Sequence, residues 1–225
     1  MEKLVPVMVA SIIIVVIFYA FLYYMYRRKL HSTKAWINSL NAGHLRKLEK
    51  EVEEESRKNK VLLDKPVSAQ QIRRLIRNSG YTIKMKKFMP FHEATTKNSP
   101  EKCVFIRENL TEEETNFALT HELMHIWFDL QGENAEARCR DVHNSFFSRS
   151  KEEQDTDYKA ACLIMNEKSF REDLNKMGYF SAQKNERREM IHKLSDKYQV
   201  APDAVARRIC EIDVLYNGRE ANYLQ

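Results

Sequence analysis

Cysteines are few and unpaired in this chain: Cys103, Cys139, Cys162 and Cys210 stand far apart, and no C-x-x-C pair occurs. That excludes a disulfide framework and a cysteine-type zinc site, and it fits a reducing compartment. A large excess of one charge is also lacking. The net charge is +5 among 37 basic and 32 acidic residues, with the two signs intermixed. Direct nucleic-acid binding is therefore not expected. In the charged tract before Pro66 no apolar a/d repeat persists for three heptads, which favours a solvated helix there over a partner-binding coiled coil. Long hydrophobic runs are missing everywhere but one place, Leu4 to Met25.

That run is long enough, at 1.5 Å per residue, to cross about 30 Å of hydrocarbon. It ends in Tyr23, Tyr24 and Tyr26 instead of a small-residue cleavage site, and Arg27, Arg28, Lys29 and Lys34 follow at once. The expectation is a transmembrane anchor over 1–26, with contact to the membrane through residues 4–25. The positive-inside rule predicts a single-pass protein of the cell membrane, its amino terminus outside and the remainder in the cytoplasm. Residues 27–65 read as a charged juxtamembrane stalk, a solvated helix with Lys47, Glu51, Glu54 and Arg57 at ion-pair spacings.

Pro66 marks the start of a folded domain over 66–225. With 43% hydrophobic residues, the chain has enough apolar surface for a core. Ser68 to Gln71 has the S-x-x-Q form of a capping box, and its helix should end near Gly80. Tyr81, Ile83 and Met85 alternate with polar residues as in a strand, and Cys103 to Arg107 is a second candidate strand. Thr111 to Glu114 is another capping box, opening a helix expected to run to about Leu130. Further helices follow, with Ser169 and Ser181 as expected caps and Gly178 as a break. The part from about 181 has a helix-turn-helix-like turn at Val200-Ala201-Pro202. Its Arg207 and Arg208 are diluted by Asp196, Asp203, Glu211 and Asp213, which favours packing over a nucleic-acid surface.

Inside the helix after Thr111 lies His121-Glu122-Leu123-Met124-His125. The residue frequencies of this chain would produce H-E-x-x-H by chance about 0.02 times, so the motif is informative. Two histidines four apart share a helix face and can reach one zinc ion, while Glu122 beside them is a candidate general base. A third ligand is needed. The metzincin pattern would place a glycine at 128 and a histidine at 131, where this chain has Phe128 and Gln131. The alternative is an acidic ligand on a later helix, with a second residue one turn on to orient a histidine. Glu153 and Asp157 meet that spacing; Asp155 is next in order, and Glu152 also competes. Ser150 with Glu153 has the capping-box pattern, yet a carboxylate committed to a metal could not serve fully as a cap.

Three segments in order resemble the ImmA/IrrE metallopeptidases. Asn116 to His125 is similar to their F-T-L-A-H-E-L-G-H segment, and Glu153 to Met165 resembles their E-x-x-A-N-x-F-A-x-x-L-L-M-P helix. Leu194 to Arg208 resembles their closing L-A-x-x-F-x-V-S-x-x-A-V-x-x-R-L element. Met124 stands for a glycine, Thr156-Asp157 for Ala-Asn, Lys159 for an aromatic residue and Asn166 for a proline, and none of these departures removes a proposed ligand. Lys159 would have to face out or pair with an acid. The resemblance implies an α+β, mostly helical domain with a small zincin-like sheet packed on the H-E-x-x-H helix. It further implies zinc held by His121, His125 and Glu153, with Glu122 catalytic in peptide-bond hydrolysis. The implied substrate is a protein, such as a helix-turn-helix transcriptional repressor. The competing expectation is a membrane-tethered, non-catalytic adaptor whose metal site is structural or inactive.

Overall fold

The computed structural model describes residues 15–17, 19, 23, 41–87, 89, 93–98, 100–130 and 150–217. The chain divides into two compact units, Met1–Leu40 and Asn41–Gln225. In the first unit the described residues are helical positions, Val15, Val16, Ile17, Tyr19 and Tyr23, all exposed. Among the described residues, no helix is long and apolar enough to cross a membrane. This corrects the expected single-pass membrane location, because a crossing helix needs about 20 consecutive apolar residues. The rest of the 4–25 run, and the basic residues from Arg27 to Lys34, lie outside the described residues.

The second unit is α+β and mostly helical. Helix α1 is Ala42–Lys58, and Asn41 caps it by accepting from the backbone N–H groups of Gly43 and His44. Its Leu45, Leu48, Val52 and Ser56 are buried. The expected solvated stalk therefore does not extend over this helix: Leu45, Leu48 and Val52 recur at helical spacing and drive that face into the core. The ion-pair reading holds for the opposite side, where Lys47 lies 3.9 Å from Glu51.

Helix α2 is Ala69–Asn78, opened by the expected Ser68–Gln71 capping box. Strands β1 (Thr82–Lys86), β2 (Ala94–Lys97) and β3 (Cys103–Arg107) form a sheet in the order β1-β3-β2. β1 runs parallel to β3 and β2 antiparallel to it, with Thr96 opposite Val104. The alternation read for β1 is only half realised. Tyr81 is buried, whereas Met85 at the sheet edge is 55% exposed.

Helix α3 is Glu112–Met124, begun by the expected Thr111–Glu114 capping box and continued by a π-helical turn, His125–Asp129. Helix α4 is Lys151–Ile164, α5 is Glu167–Met177, α6 is Lys184–Tyr198 and α7 is Pro202–Asn217. Asn166 caps α5, and Gln183 with Glu186 opens α6, so the true caps sit two or three residues from the expected Ser169 and Ser181. Gly178 does end α5, in the left-handed region at φ +68°, where a side chain would be strained. α3 packs on α4, α2, β2 and β3, and α1 packs on α4 and α7. The helix bearing the H-E-x-x-H motif thus lies at the centre of the unit, between the sheet and the first turn of α4.

Candidate metal centre

His121 lies in the last turn of α3 and His125 opens the π-helical turn that continues it, so the two rings stand one turn apart and their Nε2 atoms converge to 3.0 Å. α4 brings its first turn against them. There the Glu153 carboxylate lies 3.1 Å from His121 Nε2 through Oε2 and 3.6 Å from His125 Nε2 through Oε1. Zinc bound at about 2.0–2.1 Å with tetrahedral angles would separate its ligand atoms by about 3.3 Å. The three separations found, two of them to different oxygens of Glu153, bracket that value, so the residues fit the ion that the motif implies. Glu153 Oε1 is also buried without a hydrogen-bond partner, as an oxygen reserved for a cation would be.

Each imidazole is oriented from behind. His121 Nδ1 lies 2.8 Å from Asp157 Oδ1, and His125 Nδ1 lies 2.6 Å from Asp129 Oδ2. An Nδ1–H donating to a carboxylate leaves the Nε2 lone pair for the metal. Asp129 sits at the end of the π turn, four residues beyond His125. Asp157 is 2% exposed, on the helical turn after Glu153.

The competing acids go elsewhere. Asp155 holds His44 Nε2 at 2.9 and 3.0 Å, and Glu152 is exposed. Ser150 accepts from the Glu153 backbone N–H at 3.3 Å, but the Glu153 side chain turns to the histidines, so only half of the expected capping box forms. The first turn of α4 nevertheless favours a negative charge there through the helix dipole. Lys159 pairs with an acid, Glu51 at 2.9 Å, and its ammonium lies 3.9 Å from the centroid of the Phe128 ring.

Glu122 is 3% exposed, and its Oε2 accepts a 2.6 Å hydrogen bond from the Thr96 hydroxyl of β2. Tyr158 is buried and donates to Glu49, Tyr179 is buried, and His143 lies outside the described residues. Cys139 and the 131–149 connector lie outside them as well. Sequence reasoning missed Asp129, Thr96 and Arg207, whose Nη1 donates to Asp157 Oδ2 at 2.9 Å. The four-residue spacing could have revealed Asp129; Thr96 and Arg207 are brought in only by long-range packing.

Burial disfavours the charged form of His121, but hydrogen bonds to Asp157 and Glu153 and the charges of Asp157 and Glu122 outweigh it and raise its pKa to about 10. For His125, burial and the charge of His121 oppose the cation, while hydrogen bonds to Asp129 and Glu153 favour it and raise its pKa, so the two rings compete for the proton between them. Burial opposes the carboxylate of Glu153, yet the two imidazoles hold its pKa far below the usual range. Two Nε2 atoms 3.0 Å apart cannot both carry protons, so the metal-free pair shares one. A zinc ion held by these residues would have to displace that proton. Calorimetry in buffers of different ionisation enthalpy should show about one proton released per zinc near neutral pH, with affinity rising about tenfold per pH unit from 6 to 8. A flat pH profile would contradict the site as described.

A Mycobacterium tuberculosis transcriptional regulator of known structure is similar at 12% identity and a TM-score of 0.48, over 83% of this chain and 51% of that one. The chain spans about half the length of that protein. No curated protein matches the chain. A family model described as the IrrE N-terminal-like domain, Peptidase_M78, matches residues 77–210, which takes in both histidines, Glu122, Glu153 and the larger part of α7. With more than half of its length matched, this chain belongs to the Peptidase_M78 family of IrrE N-terminal-like domains.

Proposed function

We propose that this protein is a zinc-dependent endopeptidase, with His121, His125 and Glu153 as metal ligands and Glu122 as general base. The observation that carries the reading is the convergence of two Nε2 atoms 3.0 Å apart on the Glu153 carboxylate, whose Oε2 lies 3.1 Å from one and whose Oε1 lies 3.6 Å from the other. Bound zinc would supply a Lewis acid that makes water acidic near neutral pH and polarises the scissile carbonyl. Glu122 takes the proton that the attacking water loses and returns it to the leaving amine. Thr96 restrains one oxygen of that carboxylate, leaving the other to carry the proton. Asp157 and Asp129 keep the histidine rings in the metal-facing orientation throughout. β2 lies at one end of the strand order, so an extended peptide could add to its edge beside Glu122.

The substrate in this reading is a protein, and the likeness to the ImmA/IrrE metallopeptidases favours a transcriptional repressor or another regulator. A structural metal site in an adaptor would need no base. The held, buried carboxylate of Glu122 favours catalysis over that alternative. Among the acids, Glu153→Ala should lower zinc affinity by at least about 100-fold, whereas Asp155→Asn should leave it within about twofold. Equilibrium dialysis of the full chain against zinc distinguishes these outcomes. Comparing newly formed protein termini in cells carrying wild type or Glu122→Gln would identify the substrate. Identical sets of termini would overturn the peptidase reading.

A further inference from the structure

Asp157 is nearly sealed from solvent and uses both carboxylate oxygens: Oδ1 on His121 Nδ1 and Oδ2 on Arg207 Nη1. Arg207 comes from α7, 50 residues later. Its Nε donates to Glu211 Oε1 at 3.1 Å, and its Nη2 reaches the Gln154 carbonyl at 3.5 Å. Glu211, fully buried, is in turn bound by Arg208 at 3.2 Å. The guanidinium is therefore fixed from several sides, with one N–H aimed at the carboxylate that orients a proposed ligand.

We propose that Arg207 is a positioning residue of the metal centre, acting through Asp157 to hold the His121 ring in its metal-facing orientation. This rests on the zinc reading given above. A buried carboxylate with a single imidazole contact could rotate or draw that imidazole out of place; a second, charge-assisted bond to a planar, fixed guanidinium removes that freedom. The residue types agree. Position 157 is where this chain carries Asp in place of the Asn of the resembled helix motif, and position 207 is one that the resembled closing element leaves open. An amide at 157 would bring no charge to balance. The carboxylate does, and Arg207 supplies the counter-charge.

The test uses the full chain, with zinc affinity measured by competition against a chelator, and with the visible spectrum of the cobalt(II)-loaded protein as a report on ligand geometry. Arg207→Gln should weaken zinc binding about 10- to 100-fold and change the cobalt spectrum. In an Asp157→Asn background the same substitution should add less than about twofold, because the two residues act as one unit. A purely structural role through Glu211 would instead give losses that multiply. Circular dichroism of each metal-free variant checks folding. Should Arg207→Gln fail to fold, Arg207→Lys replaces it: one ammonium cannot fork between Asp157 and Glu211, and a loss of at least about fivefold is expected. Unchanged affinity in the folded variant, or multiplying losses, would overturn the proposal while leaving the zinc reading intact. A wild-type chain that binds no zinc would overturn both.

Discussion

Glu122→Gln should abolish measurable peptide-bond hydrolysis, a fall of about 10²–10⁴-fold or more, while zinc still binds at about one ion per chain. The substitution keeps the size of the side chain and lets it accept from the Thr96 hydroxyl through its amide oxygen, so the packing against β2 survives. It removes the ability to take a proton from water. Glu122 is not among the three atoms that converge on the metal position, so occupancy should change little. Steady-state cleavage of the substrate identified in cells, beside zinc analysis of the same preparation, separates the two roles. Full activity in the variant would refute the mechanism. Loss of zinc along with activity would show that Glu122 contributes to the metal site itself.

Arg208→Met should destabilise the metal-free protein by about 3–5 kcal/mol, a large share of the 5–15 kcal/mol typical of a domain. Arg208 is fully buried and uses its whole guanidinium: Nε on the Met165 carbonyl at 3.0 Å, Nη1 on Glu211 at 3.2 Å and Nη2 on Glu49 at 3.0 Å. Methionine fills similar space but leaves Glu49 with Tyr158 and Cys162 as its contacts, and leaves Glu211 with Arg207. Burial already outweighs both arginines and raises the pKa of Glu211 above its usual value. Losing one arginine raises it further. A buried acid whose folded pKa is raised is penalised at high pH, and the penalty disappears as pH falls through that pKa. The defect should therefore be larger at pH 8 than at pH 5. Urea unfolding at the two pH values measures it, and a pH-independent loss would mean that packing, not the orphaned carboxylates, is responsible.

The same contact shows why α1 belongs with the rest of the unit. Glu49, His44 and Glu51 of α1 engage Arg208, Asp155 and Lys159, the last two on the helix that carries Glu153. α1 lies outside the matched 77–210 segment, yet it braces that helix. Its polar positions suggested a solvated stalk because ion-pair spacing is a local signal. The three apolar residues Leu45, Leu48 and Val52 carry the opposite message, and their partner surface is more than 100 residues away.

Local chemistry determined much from the sequence alone. The Ser68 and Thr111 capping boxes, the strand at Cys103–Arg107, the helix bearing His121 and His125 and the left-handed stop at Gly178 all depend on residues within a few positions of one another. β2 escaped because four residues ending in Thr-Thr-Lys carry little periodicity, and the membrane expectation rested on a run whose described part forms no spanning helix. Spacing favoured Glu153, and tertiary structure decided that it is the acid facing the Nε2 atoms of both histidines. Glu152, Glu153, Asp155 and Asp157 are equivalent in composition, but successive residues of α4 turn by roughly 100°, so Glu153 and Asp157 share a face from which Glu152 and Asp155 point away. Only docking of α4 against α3, with α1 taking Asp155 and α7 taking Asp157, turns Glu153 toward both Nε2 atoms.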